Sequence, residues 1–145
     1  MTQYEILKHY FGYDTFRDGQ DVLIQNILEG RDVLGVMPTG AGKSLCYQIP
    51  ALMMDGITLV ISPLISLMKD QVSSLNQVGI LAAYINSSLT AAQYYKVLDL
   101  ARAGRYPIIY VAPERLMSED FLRFALSGQV KISMVAVDEA HCVSQ

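Results

Sequence analysis

Length, composition and charge exclude several kinds of protein before any motif is considered. The chain has 145 residues, of which 52% are hydrophobic, which is typical of one globular domain and not of a disordered chain. Its apolar runs are too short to cross a bilayer and its start lacks the features of a secretory signal, so we expect a cytoplasmic protein without a membrane partner. The net charge of −3 argues against an extended basic surface for nucleic acid, although binding through hydroxyls and backbone amides stays open.

The first segment with a chemical signal is residues 10–20, which read Tyr-Phe-Gly-Tyr-Asp-Thr-Phe-Arg-Asp-Gly-Gln. The ring of Tyr13 can stack on a purine, and the amide of Gln20 offers the donor and acceptor that match the edge of adenine. The alternative is structural, with Tyr13 and Phe16 packing the first helix on a sheet. Both interpretations are open at this point.

Residues 35–44 read Gly-Val-Met-Pro-Thr-Gly-Ala-Gly-Lys-Ser and predict a loop that holds phosphates. Gly40 and Gly42 allow backbone N–H groups to approach a triphosphate closely. Lys43 would reach the β- and γ-phosphates as a mobile positive charge, and the hydroxyl of Ser44 would ligate Mg²⁺. The alternative is an ordinary strand-to-helix turn.

Five apolar runs of strand length alternate with helical patterns, which is the signature of an α/β fold with a mostly parallel sheet. The runs are residues 33–37, 57–62, 81–86, 108–112 and 132–138. Two helices between them carry apolar stripes that we predict to face the core. The stripes are Leu64, Met68, Val72, Leu75 and Gly79 in one helix, and Ala91, Tyr94, Tyr95, Leu98 and Ala101 in the other.

Local signals fix several helix ends. Thr90 and Gln93 form a capping-box pattern, and Ser118 should cap a further short helix. Pro50 should kink or end the helix that follows the glycine-rich loop.

The last predicted strand ends in adjacent carboxylates, Asp138 and Glu139. The run before them, residues 132–137, is apolar enough for a strand buried on both faces, and carboxylates at such a strand end face the crevice where open α/β sheets bind ligands. In phosphoryl transfer, Asp138 would hold the Mg²⁺ shell and Glu139 would polarise the attacking water. The alternative is a solvated turn.

Taken together, these motifs resemble the first RecA-like motor domain of a superfamily 2 helicase, and specifically a RecQ-family DNA helicase. The resemblance covers nearly the whole chain. The segments that carry it are residues 11–20, 37–50, 62–71, 112–116 and 138–142. Met37 stands at the first glycine position of the phosphate loop, where helicases of this superfamily commonly carry Met or Ala.

The resemblance implies a three-layer RecA-like P-loop fold, an α/β fold with a mostly parallel sheet flanked by helices and truncated at its C-terminal end. It divides the chain into residues 1–30, a helical segment with an adenine-recognition motif, and residues 31–145, a partial ATP-binding domain. The chain would be the N-terminal piece of an ATP-dependent 3′–5′ DNA helicase of DNA repair and recombination, nucleoid-associated if bacterial. Its partners would be single-stranded or partly duplex DNA and, in cis, a second RecA-like lobe.

The resemblance also implies roles for individual residues. Tyr13 would stack on adenine, Gln20 would read its edge, and Arg17 would support that pocket. The phosphates and Mg²⁺ of ATP would be held by Thr39, Gly40, Ala41, Gly42, Lys43, Ser44 and Asp138, and the catalytic residues would be Lys43 and Glu139. The backbone of single-stranded DNA would be held by Ser62, Pro63, Ser66, Lys69 and Arg115. His141 would couple the two sites.

Other interpretations of these residues stay open. The segments assigned to DNA can form a helix cap and a turn, and His141 can be a core or capping histidine. Because the arginine finger of the family lies in the second lobe, we expect this polypeptide alone not to unwind DNA. Two other functions remain: a nucleotide-dependent module without motor activity that binds nucleic acid or protein, and an RNA helicase of the same superfamily.

Overall fold

The structure is a computed structural model that describes residues 2–17, 19–29, 44–63 and 65–137. Contacts between residues divide the chain into two compact units, Met1–Met54 and Asp55–Gln145. The first unit is helical in its described part, and the second holds a parallel sheet with helices between its strands. The domain boundary predicted at residue 30 stays a prediction, because residues 30–43 lie outside the described ranges.

The first unit contains three described helices: α1 (Gln3–Phe11), α2 (Gln20–Leu28) and α3 (Leu45–Met53). α1 begins with a capping box, in which the Thr2 hydroxyl accepts from the N–H of Glu5 at 3.2 Å and the Glu5 carboxylate accepts from the N–H of Thr2 at 3.1 Å. It ends where Gly12 adopts a left-handed conformation with φ 76°, which glycine does without strain.

Apolar side chains from all three helices form one core. Its buried members are Ile6, Leu7, Ile24, Leu45 and Ile49, and around them pack Tyr10, Phe11, Phe16, Leu28, Leu52 and Met53. Ile24 of α2 joins Leu45 and Ile49 of α3 in this core, so the two helices are packed together. Burial of a side chain of this size contributes about 1.5–3 kcal/mol.

Pro50 does not end α3, contrary to one of the two outcomes predicted for it. The helix continues to Met53, and the N–H of Met54 donates to the carbonyl of Pro50 at 3.0 Å. A proline inside a helix costs about 3 kcal/mol. The neighbours Ile49 and Ala51 are 0% and 1% exposed, so the burial of this segment offsets the cost.

The second unit is built on a sheet of four described strands: β1 (Ile57–Ile61), β2 (Ala82–Ile85), β3 (Ile108–Val111) and β4 (Ile132–Val137). Their order is β2-β3-β1-β4, and every pair is parallel. Four of the five predicted strands are therefore confirmed; β1 and β3 are one residue shorter than predicted and β2 is two residues shorter, while residue 138 of the fourth lies outside the described residues. The fifth, residues 33–37, lies outside the described residues.

The carboxyl ends of the four strands lie level with one another. In the register of the sheet, Ile61 at the end of β1 pairs with Val111 of β3 and with Val137 of β4. Val111 pairs in turn with Ile85 of β2. Residues that follow these four positions in the chain therefore leave the sheet at the same edge.

Four helices complete this unit: α4 (Ile65–Gln77), α5 (Ala91–Arg102), α6 (Pro113–Leu116) and α7 (Glu119–Ala125). The caps predicted at Thr90 and Ser118 are confirmed, since both hydroxyls accept from the backbone N–H three residues on. The mixed α/β class with a parallel sheet flanked by helices is confirmed as well. No described helix is long and apolar enough to span a membrane.

The predicted apolar stripes are correct only in part. The buried residues of the two helices are Met68, Val72 and Leu75, and Tyr94, Leu98 and Ala101. Ala91 and Tyr95 are exposed, because they lie on the solvent side of α5 next to its buried stripe. Gly79 is not helical: α4 stops at Gln77, and Gly79 forms the following turn with φ 92°. Leu64 lies outside the described residues.

β4 is less buried than predicted. Val135 and Val137 are 55% and 54% exposed, whereas residues 132–137 were expected to be covered on both faces. β4 forms the edge of the described sheet and pairs only with β1. Its alternate residues Val135 and Val137 point to the same face of the strand, which explains why these two residues share a similar exposure.

Candidate nucleotide and nucleic-acid site

In the helical unit, Tyr13 and Phe16 have different environments, although the sequence left both base stacking and packing open for them. Phe16 is half-buried, packs against the helical core and meets the ring of Tyr4 edge-on, with ring centres 5.5 Å apart. Tyr13 is 53% exposed, and its backbone N–H donates to the carbonyl of Leu7 at 3.4 Å where α1 ends. Packing therefore accounts for Phe16, while the ring of Tyr13 is accessible for stacking on a base.

Gln20 is buried and tied to Arg17. Its Oε1 accepts from the backbone N–H of Arg17 at 2.7 Å, and its own N–H donates to the carbonyl of Arg17 at 3.1 Å. Only 1% of Gln20 is exposed, whereas the side chain of Arg17 is exposed. Sequence reasoning missed this local pair, in which a side chain accepts from a backbone N–H three residues earlier.

Ser44 precedes α3 and does not cap it. Its backbone is helical (φ −65°, ψ −28°), its carbonyl accepts from the N–H of Gln48 at 2.9 Å, and its side chain makes no capping hydrogen bond. The hydroxyl of Ser44 therefore makes no hydrogen bond to the start of the helix, which suits its predicted role as a ligand of Mg²⁺. α2, which begins at Gln20, and α3, which Ser44 precedes, share the helical core.

In the sheet unit, the segments predicted to hold DNA leave the sheet side by side. The N–H of Ser62, directly after β1, donates to the carbonyl of Val111 in β3 at 3.1 Å. The N–H of Ala112, directly after β3, donates to the carbonyl of Ile85 in β2 at 2.9 Å. Ser62 is 1% exposed, and Pro63 is half-buried. The turn after β1 and the short helix α6 therefore occupy one edge of the sheet.

Ser66 and Lys69 lie on α4, three residues apart and both exposed. This spacing puts them on the same side of the helix. Lys69 also lines an open cleft of about 470 Å³ between α4 and β2, together with Val72, Ser73 and Tyr84. Ser66 and Lys69 extend the polar surface that starts at the turn after β1.

Arg115 is half-buried on α6, and its guanidinium lies over the ring of Tyr94, with its Cζ 5.1 Å from the ring centre. Tyr94 was assigned only to the core from the sequence. Burial raises the pKa of the Tyr94 hydroxyl, the carboxylate of Asp120 raises it further, and the positive charge of Arg115 opposes both. Tyr94 is therefore a neutral phenol beneath a permanently charged arginine.

A further polar loop at this edge was missed from the sequence. Asn86 follows β2 and is 0% exposed, and its amide donates to the sulfur of Met68 at 3.5 Å. Its Oδ1 accepts from the N–H of Ser88 at 2.9 Å and from the Ser88 hydroxyl at 2.5 Å. The run Asn-Ser-Ser after a strand is a turn signal that could have revealed this loop.

Several predicted site residues lie outside the described ranges: Thr39, Gly40, Ala41, Gly42, Lys43, Asp138, Glu139 and His141. Asp138 follows directly on Val137, whose position in the sheet is level with Ile61. Within the described ranges, no group of three or more His, Cys, Asp or Glu side chains is placed to hold a metal ion.

Comparison with known proteins relates the whole chain to helicases. The family model of the DEAD/DEAH box helicases matches residues 17–145. Over 97% of the chain, the sequence is 54% identical to the ATP-dependent DNA helicase RecQ of Bacillus subtilis, and over 99% it is 52% identical to RecQ of Haemophilus influenzae. The matches cover 24% and 23% of those proteins, so the chain spans about a quarter of the length of these relatives.

Solved structures agree on the fold. The helicase MrfA bound to DNA and AMPPNP matches 98% of the chain with a TM-score of 0.76 and 22% identity, and the match covers 21% of MrfA. A hypothetical ATP-dependent RNA helicase from Sulfolobus tokodaii matches 98% of the chain with a TM-score of 0.73 and 23% identity, over 42% of its own length. The predicted RecA-like helicase fold is confirmed. The chain belongs to the DEAD/DEAH box helicase family, and nearly all of it is similar in sequence to RecQ helicases.

Proposed function

We propose that the chain is the nucleotide-binding part of an ATP-dependent 3′–5′ DNA helicase, which binds Mg-ATP and a stretch of single-stranded DNA. The observation that carries the proposal is the similarity to proteins named ATP-dependent DNA helicase RecQ, which extends over nearly the whole chain. The edge of the sheet supports it, because hydroxyl, amide and guanidinium groups converge there after three neighbouring strands.

The nucleotide half of the proposal concerns the base and the phosphates of ATP. In the helical unit, the exposed ring of Tyr13 stacks on adenine, and Gln20, oriented by the backbone of Arg17, reads the adenine edge. Residues 39–43 supply backbone N–H groups, and Lys43 adds its charge, for the phosphates.

Mg²⁺ would be held by Ser44 and Asp138, and when bound it neutralises charge on the β- and γ-phosphates. The carboxylate of Glu139 accepts a proton from the attacking water and orients it toward the γ-phosphate. His141 lies two residues further on, where a change at the nucleotide can be passed to the DNA-binding segments.

The DNA half uses the carboxyl edge of the sheet. The exposed α4 residues Ser66 and Lys69, together with Arg115 of α6, contact the phosphates of one strand, and the turn at Ser62 and Pro63, where Ser62 is buried, positions the start of α4. Hydroxyl and backbone N–H donors hold a phosphate backbone without reading sequence, and two cations supply the salt-dependent attraction. A protein with a net charge of −3 can therefore bind DNA through a local surface.

Strand separation would require parts of a longer protein. An arginine finger raises the rate of phosphoryl transfer roughly 10³- to 10⁵-fold, and in this family it is expected on the second RecA-like lobe. We therefore propose that the isolated chain binds Mg-ATP and DNA, hydrolyses ATP slowly at most, and does not unwind a duplex.

Titration of the 145-residue chain tests the proposal. A fluorescent ATP analogue should bind in the presence of Mg²⁺, and Lys43→Ala should remove most of that binding while leaving the circular dichroism spectrum unchanged. Single-stranded DNA should bind more tightly than RNA of the same length. Binding of neither ATP nor DNA would reject the proposal, and tighter binding of RNA would favour an RNA helicase. A strand-displacement assay on the full-length parent protein, with 3′- and 5′-tailed duplexes, tests the direction of movement.

A further inference from the structure

The guanidinium of Arg115 lies over the ring of Tyr94 next to the carboxyl edge of the sheet. The Cζ of Arg115 lies 5.1 Å from the centre of the Tyr94 ring, which is within cation–π range. Tyr94 is 4% exposed and belongs to the same core as Leu98 and Phe121, so the ring cannot move freely. The guanidinium rests on a rigid surface.

The backbone of Arg115 is held as firmly as the end of its side chain. Its N–H donates to the carbonyl of Ala112 at 3.0 Å. Its carbonyl accepts from the N–H of Ser118 at 3.1 Å and from the Ser118 hydroxyl at 2.7 Å. With both ends fixed, the methylene groups between them have little conformational freedom left.

Arg115 also differs from Arg102 and Arg123 of this unit in its charge partners. Arg102 pairs with Asp99 at 3.1 Å, and Arg123 pairs with Glu119 at 3.3 Å. In the described part of the chain, no carboxylate lies within ion-pair distance of Arg115. A guanidinium that lies over a ring keeps N–H donors that do not face the ring, and these match the geometry of a phosphate group.

The contact runs through the ring of Tyr94 and not through its hydroxyl. That hydroxyl is buried and has no hydrogen-bond partner of normal geometry among the described residues. Burial and the nearby carboxylate of Asp120 raise its pKa, so the ring stays uncharged at physiological pH. A phenylalanine would present the same face to the guanidinium.

We propose that Tyr94 is a positioning residue that holds the guanidinium of Arg115 ready to bind a phosphate of the nucleic-acid strand at this edge. The inference rests on the proposed function in one respect, the contact between Arg115 and DNA. An arginine that is already fixed loses little side-chain entropy when it binds, so the ring increases affinity without touching the ligand. Nothing in the sequence pattern indicates this pair, because the two residues lie on different helices.

Four variants of the 145-residue chain test the inference: Tyr94→Phe, Tyr94→Leu, Arg115→Ala and the double variant Tyr94→Leu/Arg115→Ala. The probe is a labelled oligothymidylate of about 20 nucleotides, followed by fluorescence anisotropy at several salt concentrations. Arg115→Ala should weaken binding about tenfold and lower the slope of log affinity against log salt by about one. Tyr94→Leu should weaken binding roughly two- to fivefold and leave that slope nearly unchanged. Tyr94→Phe should bind like wild type.

The double variant tests whether the effects of the two substitutions on DNA affinity depend on each other. If Tyr94 acts through Arg115, Tyr94→Leu should weaken binding no further once Arg115 is removed. The matched control is Phe124→Leu, which also removes a buried aromatic ring beneath an arginine, since the Cζ of Arg102 lies 5.2 Å from the centre of that ring. Phe124→Leu should lower the melting temperature without changing DNA affinity.

Proton chemical shifts of the Arg115 side chain give a readout that needs no DNA. They should show a ring-current shift in wild type and Tyr94→Phe that disappears in Tyr94→Leu. Absence of that shift in wild type overturns the inference. The inference is also overturned if Tyr94→Leu binds DNA with wild-type affinity while Arg115→Ala binds DNA more weakly. In that case the proposed function stands. If Arg115→Ala binds DNA with wild-type affinity, Arg115 does not contact DNA, and the inference is rejected together with that contact.

Discussion

Gln20 and Arg17 are joined by two hydrogen bonds, one from the backbone N–H of Arg17 to Oε1 of Gln20 at 2.7 Å and one from the N–H of Gln20 to the carbonyl of Arg17 at 3.1 Å. The bonds fix a buried amide at the start of α2 and orient the chain between α1 and α2. An amide held in this way can recognise a base edge with little loss of side-chain entropy.

Gln20→Ala should therefore affect both stability and base preference. Loss of the acceptor leaves the N–H of Arg17 without its side-chain partner, and we expect the free energy of unfolding to fall by about 1–2 kcal/mol. The preference for ATP over GTP should also shrink, measured as the ratio of the two dissociation constants. Gln25→Ala, an exposed position on the same helix, is the control and should change neither quantity.

Tyr13 and Phe16 should respond to substitution in opposite ways. Tyr13 is 53% exposed, so Tyr13→Ala should leave the melting temperature unchanged. It should weaken the binding of ATP by about 0.5–1.5 kcal/mol, because the stacking contact with the base is lost. Phe16 packs on the helical core, so Phe16→Ala should destabilise the chain by roughly 2 kcal/mol. Thermal unfolding and nucleotide titration of both variants check this. Equal effects of the two variants on both measurements would show that the exposed ring has no separate role.

Gly56 is required by the close approach of the chain segments before β1 and β4. Its φ is 89°, and a Cβ added there would lie 2.5 Å from the carbonyl oxygen of Lys131. Gly79 has a similar φ of 92°, but a Cβ there would meet nothing within 4 Å. Both Gly→Ala variants strain the backbone, and only Gly56→Ala adds a clash with a main-chain atom, the carbonyl oxygen of Lys131.

We expect Gly79→Ala to cost about 1 kcal/mol and Gly56→Ala about 2 kcal/mol more, measured by urea denaturation. The difference between the two variants isolates the steric term, because the backbone strain is common to both. Equal destabilisation would mean that the segments before β1 and β4 can separate at no cost.

The sequence predicts the parts of the fold that depend on local pattern. Apolar runs identify all four described strands, and the hydroxyls of Thr90 and Ser118 mark two helix starts. The alternation of strands and helices also implies a parallel sheet, and so places Ser62 and Ala112 at one edge. These signals act over a few residues and do not need the tertiary structure.

Contacts between distant segments could not be predicted in the same way. Tyr13 and Phe16 are both aromatic and three residues apart, and only packing decides which is buried. The exposure of Val135 depends on whether a strand lies beside β4. The pairing of Arg115 with Tyr94 depends on how α5 and α6 meet, which no local pattern specifies.

We propose above that Ser44, after the glycine-rich loop, and Asp138, at the acidic end of the last strand, serve the same magnesium ion. A double-mutant cycle of Ser44→Ala and Asp138→Asn, with binding of Mn²⁺-ATP followed by electron paramagnetic resonance, tests it most directly. We predict that each single variant weakens the binding of Mn²⁺-ATP. The loss of binding free energy in the double variant should be much smaller than the sum of the two single losses, since both side chains serve one ion. Strictly additive effects, or wild-type binding of Mn²⁺-ATP by either single variant, would contradict the account.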